Sequence, residues 1–412
     1  IVGYESRGDL HNVRVTGTVD GSSSYVGGLT YYASSGTIEN ASVEATVIGS
    51  SYVGGLSGYC RVPITNSYFN GRVDGRYDRV GGLTGYNINQ DIMDSWVNGS
   101  VDGRTYVGGV SGYGGNLYNV ARYGDTWGSG GYVAGLVGRN AETIEHCIMR
   151  GDVTGAGEYV AGASGRDGDL FNVTARGVVS GGDRTGGLVT LNEDVVRQSS
   201  FIGSVSAAEY VGGIAAIDRN RIRECYFIGN VTGAEYTGGI VGDEQGGHTR
   251  DSYSRGSVSG GHFTGGIAGH VDNPNFKAYV YDSYSTMDVS GANFTGGAVG
   301  RIYSTGSVSD AFSTGDVTGT VGNTGGFGGE QFYAVRHISD CFWHNKTTNP
   351  EKCIGGFEGV MGISYYSTCK PIQVESYFYD ETNSPMSSWD FTGVWYSSGS
   401  DYPCLRWAED CP

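Results

Sequence analysis

The chain has 412 residues, with 74 glycines, 7 prolines and a net charge of −17. High glycine content without proline or a strict glycine triplet excludes a collagen-like triple helix. The acidic charge, with no basic stripe, argues against a nucleic-acid-binding protein, and no apolar run reaches the length of a membrane helix.

A short motif of tyrosine, valine and two glycines recurs along the whole chain. It stands at 52–58 and returns at 25–29 and 106–112. Its second glycine falls at positions 28, 55, 82, 109, 135, 162, 187, 213, 239, 266, 297 and 326. A nearly fixed period over twelve copies indicates a repeat architecture.

Each repeat contains short apolar segments separated by glycines. After the glycine pair comes a turn, then a segment such as Ile64–Phe69, then Gly-x-Val-x-Gly at 71–75. A helix is unlikely, since each glycine costs about 1 kcal/mol in a helix interior. We predict an all-β fold: a parallel β-solenoid (β-helix) of about twelve coils of ~27 residues, with glycines at the positive-φ corners.

Stacked coils place equivalent residues in columns. The valine of the motif and the apolar residue after the glycines are predicted to fill the core. The aromatic residues before the valine form a ladder, interrupted by Arg79 and Arg184: Tyr25, Tyr52, Tyr106, Tyr132, Tyr159, Tyr210, Tyr236, Phe263 and Phe294. This ladder either only stabilises the sheet or forms a face that binds sugars or a partner.

The last part of the chain departs from the repeat. We assign residues 1–330 to the solenoid and 331–412 to an irregular C-terminal capping region, rich in cysteine and aromatic residues. A cap of this kind is expected to cover the last open strand edge. Since the chain starts at Ile1 close to a repeat, we expect a mature, processed product.

The unit Gly-Gly-Leu-x-Gly, then Ile-x-Asn-Ser/Cys-Tyr, then Gly-x-Val-x-Gly resembles the GLUG repeat of bacterial and archaeal cell-surface β-solenoid proteins. The ending Trp-Asp-Phe, Val-Trp, Tyr-Pro-x-Leu-Arg-Trp is similar to the closure that often follows such repeats. The resemblance implies surface location and adhesion or protein interaction, with no shared active site. Alanine replaces the first glycine at Ala134 and Ala161, and the unit around 113–130 is irregular.

The eight cysteines fall into two groups. Cys147 and Cys225 occupy the same repeat position and are expected to be small buried core residues, whereas Cys60 lies alone in the second coil. The five others cluster in the capping region, where one or two disulfides are expected in an oxidising compartment: Cys341, Cys353, Cys369, Cys404 and Cys411. The pairing is not predicted by the sequence.

Six Asn-x-Ser/Thr sequons are possible glycosylation sites: Asn40, Asn98, Asn172, Asn230, Asn293 and Asn345. For metals, Asp74 and Asp102 should lie one coil apart and are weak candidates to share Ca²⁺, although Asp before Gly is also a good turn residue. A metal site of His248, His262 and His270 is a weaker hypothesis. We predict no catalytic residue and no other cofactor.

We therefore expect a non-enzymatic extracellular structural protein, either the subunit of a surface filament or an adhesin stalk, that assembles head to tail through solenoid ends. The expected partners are other copies, surface proteins or glycans, with no nucleic acid and no membrane span. The alternatives are a carbohydrate-binding or polysaccharide-degrading β-helix and a phage or viral receptor-binding fibre. A cluster of carboxylates on one face would favour the first alternative, and a native trimer would favour the second.

Overall fold

The computed structural model describes residues 2–139, 141–166, 168–272, 277–332, 338–358 and 368–411. The chain divides into two compact units, Ile1–Leu191 and Asn192–Pro412. Both are built from parallel β-strands, and the only helices among the described residues are two short 3₁₀ turns, Glu375–Tyr379 and Met386–Ser388. The predicted parallel β-solenoid is confirmed.

In chain order, strands β1 to β29 are Val2–Ser6, Leu10–His11, Arg14–Asp20, Val26–Gly27, Thr30–Ala33, Ile38–Glu39, Ser42–Gly49, Val53–Gly54, Ser57–Cys60, Ile64–Thr65, Tyr68–Gly75, Asp78–Gly81, Thr84–Asn87, Asp91–Met93, Trp96–Gly103, Thr105–Gly108, Ser111–Tyr113, Asn116–Tyr118, Ala121–Tyr123, Thr126–Gly128, Val133–Ala134, Thr143–Glu145, Ile148–Arg150, Val153–Gly155, Tyr159–Ala161, Asp169–Phe171, Thr174–Ser180, Arg184–Gly186 and Val189–Asn192.

Strands β30 to β54 are Val195–Arg197, Ser200–Ser206, Tyr210–Gly212, Ala215–Asp218, Arg221–Arg223, Tyr226–Thr232, Tyr236–Gly238, Val241–Glu244, His248–Arg250, Tyr253–Ser259, His262–Gly265, Ala268–Val271, Tyr279–Ser285, Asp288–Gly291, Asn293–Gly296, Val299–Tyr303, Ser307–Ser313, Val317–Gly319, Thr324–Gly325, Gly328–Phe332, Ile338–His344, Ile354–Glu358, Cys369–Ile372, Trp395–Tyr396 and Cys404–Leu405.

Each coil contributes strands to three faces. In the first unit these are the valine-glycine strands (β4, β8, β12, β16), the strands after the glycine pair (β5, β9, β13, β17) and the long strands (β3, β7, β11, β15). Every pairing keeps the same repeat position in register, so Val53 pairs with Val80 and Val80 with Val107. We call the third face the long-strand face.

The predicted core columns are buried as expected. Val53, Val80 and Val107 are fully buried, as are Leu56 and Leu83. On the long strands the side chains alternate, so Phe69 and Val73 point inward while Tyr68, Asn70 and Arg72 point outward. This alternation defines an outward surface on each long strand.

The glycine pairs do not have the predicted conformation. Gly54 and Gly55 are not at positive φ, whereas Tyr52, just before them, has φ +55°. A Cβ on Gly55 would lie 2.0 Å from the carbonyl oxygen of Gly82 and 2.4 Å from the Phe69 ring. The pair is therefore required by the close approach of neighbouring coils. Positive φ is adopted by glycines at a different repeat position, such as Gly71 and Gly99 on the long strands, and by non-glycine residues such as Tyr52.

The irregular coil near 113–130 breaks the long strand into β19 and β20. Arg122 occupies an inward core position here, in register with Val97 and Met149. Its guanidinium donates to the carbonyl oxygens of Tyr123 and, at 2.8 Å, Asp125, while burial lowers its pKa to about 10. Arg122 thus satisfies main-chain carbonyl groups exposed by the break.

Parallel pairing also extends beyond the predicted boundary at residue 330. β51 pairs with β49, and β52 pairs with β50, with Cys369 opposite Cys341. The part of the chain without solenoid strands is confined to residues after Ile372, where β53 and β54 form a small antiparallel pair.

We predict that Gly55→Ala destabilises the protein by about 3 kcal/mol, since the added Cβ has no space against main chain of the next coil. Gly8→Ala is the control, because a Cβ on Gly8 meets nothing within 4 Å. Denaturant unfolding followed by circular dichroism measures both. Equal unfolding midpoints for the two variants would contradict the steric role of the pair.

Candidate functional site

The most distinctive surface of the second unit is an aromatic column on its long-strand face. It consists of Tyr226, Tyr253, Tyr284, Phe312 and Phe342, at one repeat position in successive coils. The rings of the first four stack at 5.2, 5.3 and 4.8 Å. All five are buried although their position points away from the solenoid core, because the segment 375–411 packs over them.

This C-terminal segment contributes large rings of its own. Trp389 and Trp395 lie 6.4 and 5.9 Å from the Tyr284 ring, and Phe378 lies 4.7 Å from that of Phe312. Burial of several aromatic side chains at about 25 cal/mol per Å² makes this contact the main stabilising contribution to the segment. The segment is therefore packed as a second hydrophobic core outside the solenoid.

Polar contacts fix the register of the segment. Tyr253 Oη donates to Asp410 Oδ1 at 2.5 Å, and Tyr284 Oη donates to the carbonyl oxygen of Pro403 at 2.5 Å. Arg255 forms an ion pair with Asp410 at 3.2 Å. Burial raises the pKa of Tyr253 and of Tyr284, so both remain hydroxyl donors at neutral pH.

The predicted cap divides into two parts. Its first part covers strand edges as expected, since β51 pairs with β49 and β52 with β50, whereas the segment 375–411 packs on the outward surface of the long strands. The sequence signal was present, since an aromatic residue stands between thirteen and eighteen positions after the second glycine in five successive coils from Tyr226 onward. An aromatic column at an outward position indicates that something covers it.

Two disulfides lie in the C-terminal part, Cys353–Cys369 and Cys404–Cys411. They use four of the five predicted cysteines, whereas Cys341 is a buried free thiol. Cys147 and Cys225 are buried and free, as predicted. Cys60 is also buried and free, and burial raises its pKa to about 12. None of these four thiols is reactive in this environment.

Asp74 and Asp102 are brought together as predicted, but a side chain of the protein lies between them. Arg72 Nη2 donates to Asp74 Oδ2 at 3.0 Å and lies 3.2 Å from Asp102 Oδ2. Burial raises the pKa of Asp102, and Arg72 opposes this rise. The Arg72 guanidinium takes the place between the two carboxylates that was predicted for Ca²⁺, so Arg72, Asp74 and Asp102 form an ion-pair network.

The three histidines of the weaker metal hypothesis lie on three different faces. His248 is in β38, His262 in β40 and His270 in β41. His270 Nδ1 lies 2.9 Å from Asp243 Oδ1, and His262 Nδ1 lies 3.3 Å from the Asn293 amide nitrogen. The described part of the chain holds no group of three or more metal-ligating His, Cys, Asp or Glu side chains.

A buried carboxyl pair was missed by the sequence reasoning. Asp218 and Glu244 are fully buried, and a Cβ on Gly247 would lie 2.3 Å from Asp218 Oδ2 and 2.4 Å from Glu244 Oε1. Burial raises the pKa of both carboxyl groups, and for Glu244 the neighbouring Asp218 raises it further. Both residues stand five positions after a second glycine, where Cys60 is also buried, and this repeat position was the available signal.

The sequons differ in their surroundings. Asn40, Asn98, Asn172 and Asn230 are exposed, whereas Asn293 and Asn345 are half-buried. Asn172 contacts His146 at 2.8 Å, and Asn98 donates to Asn70 at 3.1 Å. Because they are exposed, these four asparagines are better candidates for glycosylation than Asn293 and Asn345.

The tyrosine ladder of the first unit forms as predicted. Tyr25 and Tyr52 stack at 4.3 Å, and Tyr132 and Tyr159 at 4.5 Å. Arg79 fills its interruption with its guanidinium 4.8 Å from the Tyr52 ring. The rings are half-buried because they stack on their neighbours in adjacent coils. This stacking stabilises the parallel sheet without a ligand.

An acidic column runs beside the C-terminal segment. Asp251, Asp282 and Asp310 occupy the same repeat position in successive coils, each in the left-handed backbone region with φ between +48° and +50°. Burial and its two acidic neighbours raise the pKa of Asp282 to about 7, with Arg250 opposing the rise. Trp389 Nε1 of the segment donates to the Asp310 carbonyl oxygen at 3.2 Å.

The chain matches no protein-family model, no curated protein and no solved structure. The GLUG resemblance therefore stays a prediction. Among the described residues no helix has the length and apolar character needed to cross a membrane.

We predict that Asp282→Asn stabilises the second unit at pH 8 but not at pH 4. The folded pKa of about 7 lies above the ordinary value, so ionisation lowers stability as the pH rises from about 4 to 7. Because the carboxyl group is partly solvated, we expect a gain of about 1–2 kcal/mol. Asparagine also tolerates the left-handed corner.

Thermal unfolding at both pH values measures this effect. Asp340→Asn is the matched control, since Asp340 is exposed at the same repeat position with φ +48°. A gain for Asp282→Asn that is as large at pH 4 as at pH 8 would contradict the electrostatic explanation.

Proposed function

We propose that this protein is a non-enzymatic structural component of an extracellular surface, a filament subunit or adhesin stalk whose solenoids associate end to end. The observation that carries the proposal is the lateral position of the C-terminal segment. A segment rich enough in aromatic residues to cover the last coil instead packs on the column from Tyr226 to Phe342. Among the residues that the structure describes, the end of the solenoid is formed by its own strands.

Three strands form that end among the described residues. The valine-glycine strands end at β48, the strands after the glycine pair end at β51, and the long strands end at β52. Pro371 in β52 has no N–H to donate, and this disfavours the pairing of a further strand with β52. Next to β48 the chain already continues its own coil, since Gly326 and Phe327 donate to the carbonyl oxygens of Lys352 and Cys353. β51 is therefore the edge suited to a further parallel coil.

Such an end-to-end contact would be heterologous, because it joins the last coil of one copy to the first coil of the next. A heterologous contact that does not close into a ring grows into a filament. Identical repeat periods on both sides provide matching strand spacing, so main-chain hydrogen bonds can continue from copy to copy.

The chemistry of the chain supports a structural role. Asp74 and Asp102 are joined by Arg72, and Asp218 and Glu244 are buried away from any substrate. The two disulfides favour an oxidising compartment. The net charge of −17 favours solubility of the lateral surfaces.

The proposal is tested by sedimentation and negative-stain imaging of the protein at increasing concentration. We expect linear polymers whose length grows with concentration. Phe357→Pro, in β51, removes a main-chain donor that by its repeat position faces away from β49, and it should shorten them. Glu351→Pro, in the exposed turn before β51, is the matched control and should polymerise normally. A parent protein that stays monomeric at every concentration would refute end-to-end assembly.

A further inference from the structure

The long-strand face of the first unit carries the same aromatic repeat position as the second, but here the rings are open to solvent. Tyr68 and Trp96 stand thirteen and fourteen residues after their second glycines and pair directly across β11 and β15. Their rings stack at 4.2 Å with an interplanar angle of 5°. Trp96 is 36% exposed, and no described segment packs over it in the way that 375–411 packs over Tyr226 and Tyr253.

The stack ends abruptly at Trp96. The residue paired with Trp96 in the next coil is Ala121, and the one after that is Ile148, which is 39% exposed. Because strands in a sheet are about 4.8 Å apart, replacing a ring by a methyl group leaves a gap one rung wide. The gap is bounded by the indole face on one side and by Ile148 on the other, with Ala121 as its floor.

The surroundings of this gap are polar, with one exposed cation, Arg150, on the side of Ile148. Asn98, two residues from Trp96 on the same outward surface, donates to Asn70 at 3.1 Å. Tyr123, paired with Asn98, is 39% exposed. Further along the strand Arg72 is neutralised by two aspartates, and the chain as a whole is acidic.

We propose that this gap is a binding site for a neutral saccharide, with one pyranose ring inserted as the missing rung of the Tyr68–Trp96 stack. The C–H groups on one face of a pyranose carry partial positive charge and fit the electron-rich face of indole. Its hydroxyl groups point sideways, where the exposed amides of Asn70 and Asn98 and the Tyr123 hydroxyl can exchange hydrogen bonds with them. An anionic polymer would be repelled by the net charge.

The second unit supports the geometric part of the proposal. There the same column accepts flat rings from outside, since Trp389 packs 6.4 Å from Tyr284 with an interplanar angle of 18°. Arg150, on the Ile148 side of the gap, stands at the repeat position of Arg255, so a cation is available there as well. The C-terminal segment packs on a column of five rings, however, whereas the first unit has only Tyr68 and Trp96 before Ala121 at this position. The gap therefore suits a small hydroxylated ring better than a second copy of that segment.

The site is independent of end-to-end assembly, so its test does not depend on the proposed function. The full chain, produced without N-glycans because Asn98 is itself a sequon, is titrated with two neutral probes, cellohexaose and the N-acetylglucosamine hexamer, by calorimetry and tryptophan fluorescence. We expect at least one of them to bind. Trp96→Ala should weaken that binding by at least about tenfold.

Two further variants separate the gap from general effects of exposed aromatic residues. Trp127→Ala is the matched control, since Trp127 is 46% exposed on the same face but does not border the gap. It should bind within about twofold of the parent. Ala121→Tyr should complete the aromatic stack, leave the melting temperature unchanged or higher, and abolish binding.

Failure of both hexasaccharides to bind the parent protein would overturn the proposal. Equal binding by the parent and a folded Ala121→Tyr protein would overturn it as well, since the gap would then be filled by the new ring. Loss of binding in Trp127→Ala to the same degree as in Trp96→Ala would place the contact elsewhere on the face and would also refute the site.

Discussion

The close approach of successive coils at the glycine pair is the constraint on which the rest of the fold depends. At Gly82 a Cβ would lie 2.1 Å from the Gly109 carbonyl oxygen and 2.6 Å from the Val97 side chain. No side chain can be accommodated at this second position, which is glycine in all twelve copies, whereas the first position of the pair is glycine or, at Ala134 and Ala161, alanine. Insertions are tolerated only where the chain turns away from this contact, which keeps the period near 27 residues.

Features that repeat could be predicted from the sequence, because a column is visible as a period without knowledge of tertiary contacts. The valine core, the stacking of Tyr25 on Tyr52 and the burial of Cys147 all follow from position within the repeat. The role of the glycines was misread because a tight turn and a close contact select the same residue. Only the absence of positive φ at Gly55 separates the two explanations.

Features that depend on a contact between distant segments could not be predicted in this way. The tail has no period, so nothing in its sequence indicates that Trp389 reaches Asp310 or that Asp410 meets Tyr253. The ion pair of Arg72 with Asp74 is different, because it could be predicted from local sequence. The two residues are two positions apart on one strand, so their side chains share a face. A predicted pair of carboxylates in neighbouring coils should therefore be checked for a basic residue two positions away.

The same repeat position is covered by the C-terminal segment from Tyr226 to Phe342 and open to solvent at Trp96. This contrast shows where a stack of rings can offer a ring face to a ligand. Within a stack each ring hides its faces against its neighbours and exposes only its edge, so Tyr25 and Tyr52 offer little to a ligand. A face becomes accessible only where the stack ends, as it does at Trp96 beside Ala121. The indole there is already held by its stack on Tyr68 and by a long strand paired on both sides. Little side-chain entropy remains to be lost on binding, which favours a ligand that itself contributes a rigid ring.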